Sequence, residues 1–157
     1  MRLRSTPFDP EQFAVWREHS IAAFAADKIA AGTWSADQAP ALAVASFDES
    51  LPQGSDTTGH AIRRVINDAT EELIGWFWVG PATHSAPGTA WLFDIEIVPE
   101  HRGQGHGRAV LKLAEDEART LGFSTLGLHV FAHNPVARHL YEACDFQLTD
   151  LNYAKKL

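Results

Sequence analysis

At 157 residues the chain has room for one domain with its own core, and 45% apolar with 21% charged residues is the balance of a globular protein. A formal net charge of −7 argues against a nucleic-acid binder, which needs a basic face, and no apolar run nears the ~20 residues of a membrane span. Cys144 is the single cysteine, which excludes an intrachain disulfide framework. The two arginines near the N-terminus are followed by no apolar segment, so a cytoplasmic protein is expected.

In chain order, Asp9-Pro10-Glu11 reads as an N-cap followed by a proline at the first helical position. Phe13, Trp16, Ile21 and Phe24 then recur at helical spacing to about Ala31, and Gly32 breaks the run. Ser35, with Gln38 three residues on, predicts a capped second helix to about Phe47, so the first forty-odd residues read as helical. Residues 51–59 are turn formers. The stretches 60–66 and 73–79 are β-branched and aromatic around the turn 67–70, which predicts a hairpin. A strand is expected over 89–98, a helix from the glycines at 103–107 to about Leu121 with Gly122 as its stop, and a strand over 124–130. A short helix from Asn134 to about Ala143 follows, and the tail from Phe146 reads as one or two last strands.

Two features exceed what a fold needs. The run Arg102-Gly103-Gln104-Gly105-His106-Gly107-Arg108 follows a strand and opens a helix. Backbone N–H groups at a helix start, glycines that allow close approach and two flanking arginines suit a bound phosphate. Neither Walker A chemistry nor the GxGxxG spacing is present, and the bland alternative is a tight turn. In the strand 91–98, strict alternation places Trp91, Phe93, Ile95 and Ile97 on one face and Asp94 and Glu96 on the other, between Leu92 and Val98. Carboxylates in a central strand are costly to desolvate, and burial raises their pKa toward that of a general base for an amine. A solvated or salt-bridged pair is the plainer reading.

Val98-Pro99-x-x-Arg102-Gly103-x-Gly105-x-Gly107-x-x-x-Leu111, followed by Asn134-x-x-Ala137-x-x-Leu140-Tyr141-Glu142-x-x-x-Phe146, resembles the two signatures of the GNAT superfamily of acetyltransferases, in order. The resemblance implies an α/β (α+β) fold in a single domain, 1–157. Its sheet would be mixed, mostly antiparallel, of six to seven strands flanked by helices. Parallel strands 4 and 5 would splay apart between 89–98 and 124–130. It implies acetyl-CoA as cosubstrate: pyrophosphate on main-chain groups of 102–107 with Arg108 beside them, and the pantetheine arm along Ile97 and Val98 and held by Asn134. Tyr141 matches the tyrosine that protonates the departing thiolate. For the base the expected order is Glu96, then His129, then Asp94. Where many relatives carry glycine before the aromatic this chain has Asp145, one of the few residues that tolerate positive φ.

The function expected is acetyl transfer to a primary amine of a small molecule or peptide through a ternary complex, by a monomer or homodimer. The alternative is a non-catalytic acyl-CoA-binding sensor of the same fold. Asp94 and Glu96 would face the amine, and Trp34, beside the Gly32 break, is the best further candidate for an acceptor wall. His101, His106, His129, His133 and His139 fit no standard zinc spacing, so no metal is expected.

Overall fold

A computed structural model describes residues 1–157. One five-stranded sheet runs in chain order, β1 (Leu3–Pro7), β2 (Ala61–Asn67), β3 (Leu73–Pro81), β4 (Thr89–Ile97) and β5 (Thr125–Leu128). The first four strands are antiparallel neighbours, and β4 and β5 are parallel. Helices α1 (Pro10–Ala30) and α2 (Ala39–Ser50) precede β2, α3 (His106–Thr120) joins β4 to β5, and α4 (Pro135–Glu142) follows β5. No helix is long and apolar enough to cross a membrane.

The helix signals act as read. Asp9 accepts from the Gln12 amide at 2.8 Å while the Gln12 side chain takes the Asp9 amide, a full capping box before Pro10. Gly122, at φ 92, ends α3, and Asp145 does adopt positive φ, at 64. The departures are local. Leu3–Pro7 is a strand, because its backbone completes the outer edge of the sheet against Arg63–Asn67. The second helix starts at Ala39, with Pro40 in its first turn, and Ser35 caps only the turn before it. The tail from Phe146 forms no strand, which leaves five strands where six or seven are expected, and β5 stops at Leu128.

Two cores lie on opposite faces of the sheet. Under α3 and α4, Val65, Ile74, Phe77, Val79 and Leu92 pack with Val110, Leu111, Ala114 and Tyr141. Each large side chain here contributes roughly 1.5–3 kcal/mol by leaving water. Under α1 and α2, Trp16, Phe47, Leu51, Ile62, Trp76 and Trp78 form an aromatic layer.

A bulge corrects the expected alternation in β4. Trp78 pairs with Asp94 and Val79 with Leu92, so Phe93 is an extra residue with no partner. Leu92 therefore joins Ile95 and Ile97 on the α3 face, and Phe93 turns to the α1 face, stacked 4.4 Å from Trp78. Asp94 and Glu96 do share one side, and Phe93 and Val98 share it with them. Gly75 permits the close approach of β3 to β4, since a Cβ there would stand 2.1 Å from the Glu96 carbonyl oxygen.

Candidate active site

The bulge coincides with the place where two strands separate. Parallel pairing covers Thr89–Leu92 against Thr125–Leu128, helped by Gly127, whose missing Cβ admits the Trp91 ring. Beyond that pair β4 runs on to Ile97 with no strand on its β5 side. A strand's backbone groups point alternately to its two neighbours. The Val98 amide donates to the Ile74 carbonyl on the β3 side, so Ile97 and Ile95 present theirs to the gap. Of the expected pair Ile97 and Val98, only Ile97 faces it. Its carbonyl is taken by Arg102 Nε at 2.9 Å, and its N–H stays open.

The gap leads to the glycine turn. Gly103 and Gly105 hold φ of 72 and 83, and a Cβ on either would meet nothing within 4 Å. Backbone conformation, and not space, demands glycine there. Gly105 is the N-cap of α3 and offers no side chain, and the amides from Gly103 to Arg108 find no acceptor in the protein. His106 Nε2 is buried beside them with no partner, and Gln104 ties its side chain to the Glu100 carbonyl at 2.9 Å. Arg108 is exposed and unpaired, whereas Arg102 is spent on Glu96 and on Ile97. Open amides at the start of a fifteen-residue helix, with an orphaned imidazole nitrogen and a free guanidinium nearby, fit a pyrophosphate.

On the α1 face the two carboxylates differ in their surroundings. Asp94 Oδ2 accepts from Ser20 Oγ at 2.8 Å, Trp76 Nε1 at 3.0 Å and Trp16 Nε1 at 3.1 Å. Burial lifts its pKa above the ordinary carboxylate value; the Ser20 hydroxyl opposes this, the Glu96 charge adds to it, and the two indoles oppose it. Burial prevails. Glu96 is more open: Arg102 Nη2 meets Oε1 at 2.8 Å, and His19 Nε2 meets Oε2 at 2.9 Å. It is thus the accessible acid of the pair.

Tyr141 comes up from α4 into the core beside Leu92 and Leu111. Burial, with the Asp94 charge adding to it, pushes its phenol up to about 12. Asn134 caps α4, accepting from the Ala137 amide at 3.1 Å, so its oxygen is committed and its amide NH2 group remains. His129 lies one residue past the last β4–β5 pair, edge-on to Phe131 at 4.8 Å. Burial and the charge of Lys28 lower its pKa. Trp34 packs on Phe24 at 5.3 Å, at the far end of α1 from Asp94. The structure thus brings Asp94, Glu96 and Arg102 to one end of β4 and groups Trp34 with Lys28 and Phe131 at another point.

Sequence reasoning passed over His19 and Ser20, and took Trp16 and Trp76 as apolar members of a helix and a strand, where all four are partners of the two acids. A usable signal was present. Ser20 lies four residues from both Trp16 and Phe24, so a hydroxyl sits on the apolar stripe of α1, where it needs a buried acceptor.

The family model for the acetyltransferase (GNAT) family matches residues 29–146. The chain is 33% identical over 158 residues, the full length of both proteins, to an uncharacterized N-acetyltransferase, YycN, of Bacillus subtilis. The YycN crystal structure superposes with a TM-score of 0.91 at 32% identity, covering 99% of each chain. Over 85 residues, 54% of this chain and 48% of the relative, it is 38% identical to spermidine N(1)-acetyltransferase of Vibrio cholerae. A structure of spermidine N-acetyltransferase from Vibrio cholerae in complex with CoA and spermine shares the fold, at a TM-score of 0.62, 22% identity and coverage of 91% and 79%.

Proposed function

The chain belongs to the acetyltransferase (GNAT) family, and we propose that it moves the acetyl group of acetyl-CoA to a primary amine of a small molecule or peptide. One observation carries the proposal: the unpaired edge of β4, from the Phe93 bulge to Ile97, leads directly to the open amides of 103–108. A strand edge for an amide-bearing arm and a helix start for its phosphates are what coenzyme A requires.

Acetyl-CoA supplies an activated acyl group as a thioester, and the chain's own residues supply the rest. An amine attacks only when neutral, and Glu96, the more open carboxylate, accepts its proton while Arg102 and His19 fix both oxygens. An N–H of β4 freed at the bulge is placed to stabilise the oxyanion that develops. Tyr141 keeps its proton at neutral pH, because its phenol titrates at about 12, and can give it to the departing sulfur. Asp94, saturated on one oxygen, fastens α1 to β4 and sets the position of Glu96 two residues on.

Calorimetric titration with acetyl-CoA and thiol release across a panel of amines test the proposal together. Micromolar binding with thiol release is expected, and Glu96→Gln should lower kcat about 100-fold. No binding at high micromolar concentration overturns it. Tight binding with no thiol released from any amine would make the chain a sensor of acyl-CoA instead.

A further inference from the structure

Eight residues beyond Ser20, in the last turn of α1, the Lys28 ammonium sits among three rings. Its Nζ lies 5.4 Å from the centroid of Phe24, 5.4 Å from Trp34 and 6.0 Å from Phe131. The neighbouring carboxylate, Asp27, is spent on His133 Nε2 at 2.9 Å. No ion pair and no hydrogen bond uses the Lys28 ammonium, which is also true of Arg108, Lys155 and Lys156. Those three are exposed, whereas Lys28 is half-buried.

The usual reasons for a lysine account for only part of this. The C-terminal end of a helix favours a positive charge. Aromatic faces attract an ammonium by about 0.5–1 kcal/mol at such sites. Neither supplies an acceptor for the three N–H donors of the ammonium, which stay free for a ligand. In a chain with 20 acidic residues, leaving the one half-buried unpaired cation without a carboxylate suggests that its counterion is brought by a ligand.

The position of Lys28 says which ligand. Phe131 touches both Lys28 and the His129 ring, and His129 is the first residue beyond the Leu92–Leu128 pair, where β4 and β5 part. Lys28 therefore stands at the mouth of the gap in which acyl transfer is placed above. Along α1 it is about 12 Å from Ser20, at 1.5 Å per residue, and Ser20 marks Asp94. One end of this surface is acidic and the other cationic.

We propose that Lys28 and His129 form a carboxylate-binding subsite, so that the amine acceptor is zwitterionic, with its amine toward Glu96 and its carboxylate on Lys28. Burial and the Lys28 charge keep His129 neutral near pH 7, which leaves it an N–H to donate without needing a proton from solvent. The inference rests on the acyl-transfer reading. A carboxylate could also arrive on the acyl group, as in a dicarboxylic acyl thioester, and the test separates the two sources.

Thiol release is measured for the wild type, Lys28→Gln and Lys28→Arg. The acceptors are ω-amino acids of graded length, their ω-amino amides and matched diamines, with acetyl-CoA as donor. In a second arm, succinyl-CoA and butyryl-CoA are compared on one neutral amine. The wild type should prefer the amino acid to its amide by about tenfold or more, the value of one charge-assisted hydrogen bond. Lys28→Gln should abolish that preference and Lys28→Arg keep most of it. A preference confined to succinyl-CoA and lost in Lys28→Gln would assign the carboxylate to the donor. Equal ratios in the wild type and Lys28→Gln in both arms overturn the subsite. Saturation-transfer NMR of the same ω-amino acid with CoA present gives a readout free of turnover. No contact in the wild type, or contact undiminished in Lys28→Gln, rejects the subsite. Contact that Lys28→Gln abolishes, with no thiol released by any acceptor, upholds the subsite and rejects acyl transfer.

Discussion

The two faces of the sheet are built on different chemistry. Under α3 the core is apolar, with Phe77, Val79, Leu92 and Leu111 in it, and one part-buried ion pair, Arg63 Nη2 to Glu117 Oε1 at 2.7 Å, ties the helix to β2. Under α1 the same sheet is held by aromatic rings whose N–H groups converge, with Ser20, on one buried oxygen of Asp94. The first face is a platform that sets α3, and with it the glycine turn, against β4. The second fixes the direction of two carboxylates. The contrast teaches that polar contacts in a core act by geometry as well as by energy. An apolar layer tolerates repacking, whereas three donors on one oxygen admit one arrangement.

The largest expected effect follows from breaking the polar face. Asp94→Ala strands two indole N–H groups and a hydroxyl, each costing about 1–3 kcal/mol when buried without an acceptor. A loss of about 3–5 kcal/mol in urea unfolding is expected, followed by the fluorescence of Trp16 and Trp76. Leu111→Ala on the other face should cost about 2–5 kcal/mol by leaving a cavity. The two differ in function: Asp94→Ala should also lower kcat through Glu96, and Leu111→Ala only by the room it opens beside Tyr141, with Glu96 left in place. The pH dependence has a definite sign. Because burial raises the Asp94 pKa in the folded state, the native protein binds that proton more tightly than the unfolded chain. Its contribution to stability therefore falls as pH rises from the ordinary carboxylate value, 3.8, through the raised one. Asp94→Asn should flatten the stability curve in that window, and an unchanged slope would show that Asp94 does not titrate there.

Next in size is Tyr141, where the apolar face reaches the gap. Tyr141→Phe keeps the ring among Leu92 and Leu111 and removes only the hydroxyl. A fall in kcat of about 10- to 100-fold is expected with unchanged affinity for acetyl-CoA. With the phenol at about 12, the wild type should show no alkaline loss from this group below about pH 11. A variant as fast as the wild type would assign Tyr141 to the core alone.

Much of the apolar face was legible in the chain. The stripe of α3, the Gly122 stop and the Gly103–Gly107 turn follow from periodicity and from positions that need positive φ, which are local properties. The second face was legible only in part. Asp94 and Glu96 were recognised as anomalous because carboxylates in a central strand are costly, but their partners on α1, Trp16, His19 and Ser20, lie 74 to 78 residues away, beyond any local pattern. The Phe93 bulge escaped for a related reason. It arises from register against β3, and strict alternation along β4 alone predicts the opposite face for Leu92 and Phe93. Leu3–Pro7 became a strand because β2 offered an edge, whereas the tail after Phe146 pairs with no strand.

The smallest effect separates two glycines that the sequence presents as alike. Gly105 needs its left-handed backbone, and a Cβ there would stand in open space, so Gly105→Ala pays only in conformation, about 1 kcal/mol. Gly107 has no positive φ, but its Cβ would lie 3.1 Å from Leu140 Cδ2 on α4. Gly107→Ala thus presses on the helix that carries Tyr141 and leaves the turn intact. Several-fold weaker binding of acetyl-CoA with near-normal kcat is expected for Gly105→Ala, since only the direction of the free amides changes. For Gly107→Ala the expectation reverses, with near-normal binding and a several-fold lower kcat as Tyr141 shifts. Calorimetry for binding and thiol release for rate distinguish the two. If both variants lose binding alike and keep kcat, the contact between Gly107 and Leu140 does not set the position of Tyr141, and the apolar face serves only to hold the cofactor turn.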